Sequence, residues 1–302
     1  MSLPTYNTFA EKDEIFTREE IESFDVLMSR LCALREDGHF FRGQSDAGWK
    51  LYSGIQRDWI LKPLSSYFDS AEEFNEKHLS YQQQHAGSDL AKHTRQRNDL
   101  ADSSALQHYG APTPFLDFTS EIDAALYFAT DGMAAEVDVR ESSCRFSIYA
   151  WKPGKGPATA SHNDMTNWEN VVEDSGAISV AASLDVLQPV SVIYIKQNSG
   201  RFLEIANERM DLQNGLFVYS PKAVREGLPY EALFTGMTIY DVTGLYDGLF
   251  IPKMICLDVS KAVAAEVTQH LKKQGVSRES LGLASHDWAY QHYNSFIKNL
   301  SP

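Results

Sequence analysis

The sequence predicts a single α+β domain. Apolar residues recur at helical spacing near the start, around residue 125 and near the end, whereas several runs between and beyond alternate as half-buried strands do. No linker, internal repeat or low-complexity tract separates the two textures, so they belong to one core. With 302 residues, 16 Phe and 14 Tyr, the chain has ample surface for that core.

Taken in order, residues 1–18 read as a polar N-terminal segment. Thr17-Arg18-Glu19-Glu20 has the form of a capping box opening a helix through Ile21, Phe24, Leu27, Leu31 and Leu34. Asp37-Gly38 ends it, Phe40-Phe41-Arg42-Gly43 follows as a strand, and Trp49 to Tyr52 is extended. Residues 71–105 are helical but unusually polar, and Glu121 to Thr130 is a helix whose Ala124 and Ala125 would let it lie close to a sheet. Strands are expected at 146–151 and 190–195, with a loop from 154 to about 171 and a helix over 202–210. Gln213-Asn214-Gly215 turns into a strand to Tyr219, and Leu249 to Leu257 is a strand interrupted at Pro252. Helices from Ser260 to Lys273, closed by Gly275, and from about Ser285 to the end complete the fold.

The formal charge of −14 argues against a bare nucleic-acid-binding surface; Lys92 to Arg97 is the one compact basic run and reads as a solvated helix face. Cys32, Cys144 and Cys256 are far apart, without a C-x-x-C, which suits a reducing cytoplasm. No window approaches the roughly 18 apolar residues of a membrane span, and no basic-then-apolar leader stands at the start. A soluble cytoplasmic protein is expected.

Two runs place glycine and polar residues beside apolar segments, as pocket edges do: Phe40 to Asp46, and Gln107-His108-Tyr109-Gly110 leading to Asp117, Thr119 and Ser120. Arg42 would hold a phosphate or carboxylate bidentately, or else form a structural ion pair. His108 is a general base, an orienter or a satisfied core histidine. Thr119 and Ser120 offer hydroxyls to a ligand or cap the following helix. Asn207 to Arg209 with Gln213 to Gly215 is a third candidate, for which a plain turn is the alternative. His78, His85 and His93 are spaced too widely to chelate from adjacent turns, so no metal is expected.

Together these segments resemble the FRG domain family, named for the triplet seen here as Phe41-Arg42-Gly43. The similarity includes Gln44-Ser45-Asp46, Trp49, Leu51, Arg57, Gln107-His108-Tyr109-Gly110, Thr113, Leu116-Asp117, Thr119 and the Ala125 to Ala129 helix. It resumes at Asn207, Arg209-Met210, Gln213, Gly215 and Phe217, then at Ile251-Pro252, Lys261, Leu271 and Gly275-Val276. On this basis residues 19–300 are expected to form one FRG domain. Pro114 stands where the family carries Arg, and Phe118 where it favours Trp.

The family's layout is similar to that of ADP-ribosyltransferases. That implies a mixed, mainly antiparallel sheet core flanked by helices, with NAD as substrate in a cytoplasmic toxin or antiphage-defence setting. Arg42 would bind NAD phosphate or ribose, Thr119-Ser120 would hold the nicotinamide side, and the Gln213 turn would lie where the catalytic Glu belongs. Gln44, Gln107, Tyr109 and Asp117 are further expected ligand contacts; Arg42, His108 and Gln213 are the expected catalytic set. No Glu stands at the turn, although Glu204, Glu208 and Glu231 are near in sequence. A neutral Gln stabilises developing positive charge less, so a non-catalytic module sensing a small-molecule ligand, or docking a protein partner, is the alternative.

Overall fold

In a computed structural model of the chain, residues 2–93, 99–131, 133, 144–152, 212–219, 223–224, 227, 229–230, 254–283 and 288–300 are described, together with the backbone of short strands at 179–181, 191–196, 238–239 and 249–250. The expected loop at 154–171, helix at 202–210, Asn207-x-Arg209 motif and helix start near Ser285 lie outside the described residues.

One eight-stranded sheet organises the molecule, in the order β1-β10-β4-β2-β3-β7-β6-β5. Its strands are β1 (Thr17–Ile21), β2 (Phe40–Gln44), β3 (Leu116–Thr119), β4 (Arg145–Trp151), β5 (Ser179–Ala181), β6 (Ser191–Lys196), β7 (Gly215–Tyr219) and β10 (Ile255–Ser260). Only β1 and β10 run parallel; every other pairing is antiparallel. The mixed, mainly antiparallel sheet is thus as expected. β8 (Thr238–Ile239) and β9 (Leu249–Phe250) form a separate ribbon, so the run from Leu249 to Leu257 is two strands of different sheets rather than one interrupted strand.

Helices cover both faces. On one, α2 (Phe24–Glu36), α7 (Ile122–Thr130) and α8 (Ala264–Lys273) pack Leu27, Leu31, Leu126, Val267 and Leu271 against Phe41, Ile148 and Leu257. On the other, α3 (Gly54–Leu61), α4 (Ala71–His85), α6 (Asp99–His108) and α9 (Trp288–Leu300) pack Ile55, Phe74, Leu106 and Phe296 in one cluster with Leu116, Phe118 and Tyr149. α5 (Gly87–His93) lies between α4 and α6 in the chain. Among the described residues no helix is long and apolar enough to cross a membrane.

The N-terminal region corrects the sequence expectation. Residues 17–21 form edge strand β1, not a capped helical turn, and the helix begins only at Phe24. Extension lets Thr17 N–H reach the Met254 carbonyl and aligns Thr17–Ile21 with Ile255–Val259. It also spaces Glu19 to bind Arg30 and Glu20 to bind Arg18 and Arg145. Charged side chains suit an exposed edge. Nor are the preceding residues only a polar segment: α1 (Phe9–Ile15) buries Lys12 completely, and Tyr6 and Phe16 join the core. Lys12 Nζ donates to the Ala47 carbonyl, Ser147 Oγ and Asp258 Oδ1 at 3.0, 3.1 and 2.5 Å. The same surroundings push the Cys256 thiol up to about 12, burial being the main cause.

Gly43 is explained by packing. A Cβ there would stand 2.0 Å from the Ala125 carbonyl oxygen and 2.6 Å from Ala129 N, both backbone atoms of α7. The small residues at 124 and 125 do let that helix lie against the sheet, and glycine on β2 completes the close approach.

Candidate functional site

The sheet is nearly divided at its centre. β2 meets β3 at a single register pair, Phe41 with Thr119, while β2 pairs with β4 over five positions and β3 with β7 over four. Where β2 and β3 part, a ladder no longer satisfies the backbone. There Arg42 Nη1 donates to the Asp117 carbonyl at 2.9 Å. A cleft of about 410 Å³ opens at this split.

The second wall is built by the exit of α6. Gly110, at φ +93°, ends the helix while Ala111 N–H returns to the Leu106 carbonyl, a glycine-capped stop. Pro112 and Thr113 then pack and bond against the start of α3: Ile55 N–H donates to the Thr113 carbonyl, and a Cβ on Gly54 would meet Pro112 Cα at 3.0 Å. Tyr230 Oη donates to the Pro114 carbonyl. Gln107 is thereby clamped. Its Oε1 accepts from Thr113 Oγ1 in a short bond, and its Nε2 donates to Asp117 Oδ2 at 2.7 Å.

Asp117 is held by Gln107 and stands 3.9 Å from Arg42 Nη1, with its side chain about half exposed. Burial pulls the Arg42 guanidinium below its ordinary pKa, with Asp117 opposing and Arg57 reinforcing that direction. Arginine nonetheless stays protonated in proteins. Arg42 Nε is buried and has no hydrogen-bond partner among the described residues. Arg57, on α3, opens to solvent from the cleft wall. His108 is buried with its ring 5.2 Å from that of Phe217, and it too lines the cleft.

The third wall comes from far along the chain. Gln213 is buried, and its Nε2 donates to the Leu281 carbonyl at 3.0 Å while its own carbonyl accepts from Thr119 Oγ1 at 2.5 Å. It ties the β7 turn to the end of β3 and to the Ser277–Leu283 turn. That turn brings Arg278 and Leu283 to the cleft.

The structure therefore brings together Arg42, Gln44, Gln107, His108, Asp117, Thr119 and Gln213. It does not bring in Tyr109 or Ser120. Tyr109 stacks on Trp288 at 5.4 Å, because the helical step that aims Gln107 and His108 at the cleft rotates the next residue toward α9. Ser120 donates its N–H to the Asn214 carbonyl beyond the end of β3. Thr119 Oγ1 also accepts from Glu121 N–H in a local turn; Glu121 is itself the N-cap of α7, which has no side-chain cap bond, so neither Thr119 nor Ser120 caps that helix. Gln44 Nε2 braces the Trp49 carbonyl at 2.7 Å. Trp49, Arg57, Phe128, Arg278 and Leu283 also line the cleft without having been expected there; Trp49 and Arg57 carried a signal in the motif, whereas Arg278 reaches the cleft only through tertiary folding. Among the described residues no His, Cys, Asp and Glu cluster has metal-binding geometry.

Fold and site define an α+β protein with a guanidinium-lined cleft at the split of one sheet. Residues 37–137 match the FRG domain, and the chain carries that domain there. The matched stretch supplies β2, β3 and α6 and hence most of the cleft; Gln213 and the Arg278 turn come from outside it. Comparison with curated proteins and with solved structures finds no match.

Proposed function

We propose that the cleft binds a nucleotide such as NAD. The observation that carries this reading is three guanidiniums, Arg42, Arg57 and Arg278, on the wall of one cleft in a chain of net charge −14. Positive charge focused against that background attracts an anion, and guanidinium grips phosphate through paired N–H donors. Arg42 Nε is an unsatisfied buried donor that a ligand oxygen would satisfy. Trp49 and Phe128 offer apolar surface for a flat ring. The ADP-ribosyltransferase-like resemblance supports the same ligand and the same anchor.

Occupancy of this kind admits cleavage of the nicotinamide–ribose bond, with water or an acceptor taking the ADP-ribose in a toxin or antiphage-defence role. Positive charge develops on the ribose in that step, and a nearby carboxylate favours it. Asp117 is the one carboxylate among the described lining residues. One observation favours a second reading, a ligand-sensing module without turnover: Gln213 fills the turn where the acid is expected, and its amide is committed to Leu281.

Calorimetric titration of NAD, with chromatographic assay of free nicotinamide, tests both. Wild type should bind NAD, and Arg42→Ala should weaken binding by about tenfold or more while a thermal melt shows the variant folded. Binding without nicotinamide release selects the sensing reading. Absence of NAD binding by folded wild type contradicts the proposal.

A further inference from the structure

We infer that Arg57 and Arg278 form a two-guanidinium clamp that makes the cleft selective for a diphosphate-bridged ligand over a monophosphate. The inference rests on the nucleotide reading of the same cleft and specifies which part of the ligand is recognised.

Charge accounting on the cleft wall leads to it. Among the described lining residues the charged side chains are Arg42, Arg57, Arg278 and Asp117. Arg42 and Asp117 offset one another, being 3.9 Å apart with Arg42 also bound to the Asp117 backbone. Two positive charges remain. Neither has a hydrogen-bond or ion-pair partner for its guanidinium among the described residues, and the reason is visible at each. Asp58, next to Arg57, is taken by Lys62 Nζ at 2.7 Å and by the Tyr293 hydroxyl. Glu279, next to Arg278, is held by Ser277 and by its own backbone N–H, which lowers its pKa. Both neighbouring carboxylates thus make their hydrogen bonds elsewhere and act on the guanidiniums only through space, as Asp117 also does on Arg57; both arginines are exposed residues, and burial of part of Arg57 lowers its pKa.

Their supports differ from those of a loose surface arginine. Arg57 stands on α3, whose N-terminus has a complete capping box between Ser53 and Gln56. Gln56 Nε2 is further anchored to the Ala223 carbonyl at 2.8 Å. Arg278 stands in a turn closed by Ser277–Ser280 hydrogen bonds in both directions, and Gln213 fixes that turn to the end of β3 through Leu281. Two cations on braced backbone, one on α3 and one on the turn, match a diphosphate bridge, which spreads its two charges over two phosphate groups, one for each guanidinium. A single phosphate ester carries about as much charge at neutral pH but holds it on one group, which one guanidinium grips, so the second arginine adds less.

Titration of the full chain with NAD, nicotinamide mononucleotide and inorganic pyrophosphate, for wild type, Arg57→Met and Arg278→Met, tests this. Wild type is expected to bind NAD at least about tenfold more tightly than the mononucleotide, and each variant to lose about tenfold for NAD. Neither variant should lose as much for the mononucleotide. Equal NAD affinity in wild type and both variants overturns the clamp while the nucleotide reading stands. Pyrophosphate binding that both variants weaken, without NAD binding, upholds the clamp and removes the nucleotide reading. No binding of any of the three removes both.

Discussion

Arg42, Gly43 and Gln213 show how adjacent or similar residues divide between ligand and scaffold. Arg42 replaces a missing ladder bond at the split and presents its buried Nε. Gly43 serves α7, with the Ala125 carbonyl 2.0 Å from any added Cβ. Gly43→Ala is expected to cost about 3 kcal/mol or more, because the clash is with backbone and no rotamer relieves it; a shift of the urea midpoint measures it. Lys12 is an equally sharp case. Replacing it by Met should cost about 3 kcal/mol, because buried Asp258 then keeps only Arg18 Nη1, 3.6 Å from its other oxygen, as a cation. The double variant Lys12→Met, Asp258→Leu should regain much of that loss in the same unfolding assay.

At the scale of elements, α4 carries a pH dependence. His78 on α4 is buried among Phe74, Tyr293 and Phe296, and burial, aided by Lys62, pulls its pKa down from 6.5 to about 3. Gln82 Nε2 donates to its Nε2 at 2.9 Å, which fits a neutral ring. Between these values the unfolded chain holds a proton that the folded one does not, so stability falls as pH falls from about 6.5 toward 3, by up to about 1.4 kcal/mol per unit. Urea unfolding across that range should show the slope, and His78→Gln should flatten it. The Ser277–Leu283 turn offers a second prediction: Gln213→Leu should weaken NAD binding without a comparable loss of melting temperature, because it frees the turn that carries Arg278. Unchanged affinity would show that the turn holds its place unaided.

Periodicity and caps made most elements legible. The helix at 121–130 and the strands at 146–151 and 190–195 stand where apolar spacing puts them, to within a residue or so, and the amphipathic helix closed by Gly275 follows a 3-10 turn at Lys261–Val263 that takes up its expected first turn. β1 was illegible because Thr-x-x-Glu satisfies a capping pattern locally, whereas its partner β10 lies more than two hundred residues away. The same distinction governs the site. Arg42, Gln107, His108 and Asp117 stand in contiguous motifs and were readable. Arg278 was not, since no local pattern says that a turn after α8 folds back on the cleft. That Tyr109 stacks on Trp288 rather than lining the cleft was not readable, because a motif does not show which way the last helical step points.

At the scale of the whole molecule, a strongly acidic chain concentrates guanidinium at the split of its sheet, and the role proposed for that cleft is to hold a nucleotide. Such binding should weaken as salt rises, since the attraction is partly long-range. The most direct test is calorimetric titration of the folded 302-residue chain with NAD at low and at physiological salt. The account predicts a saturable one-to-one isotherm that weakens with salt and is lost or reduced at least about tenfold in Arg42→Ala. A flat isotherm for folded wild type at both salt concentrations would contradict it.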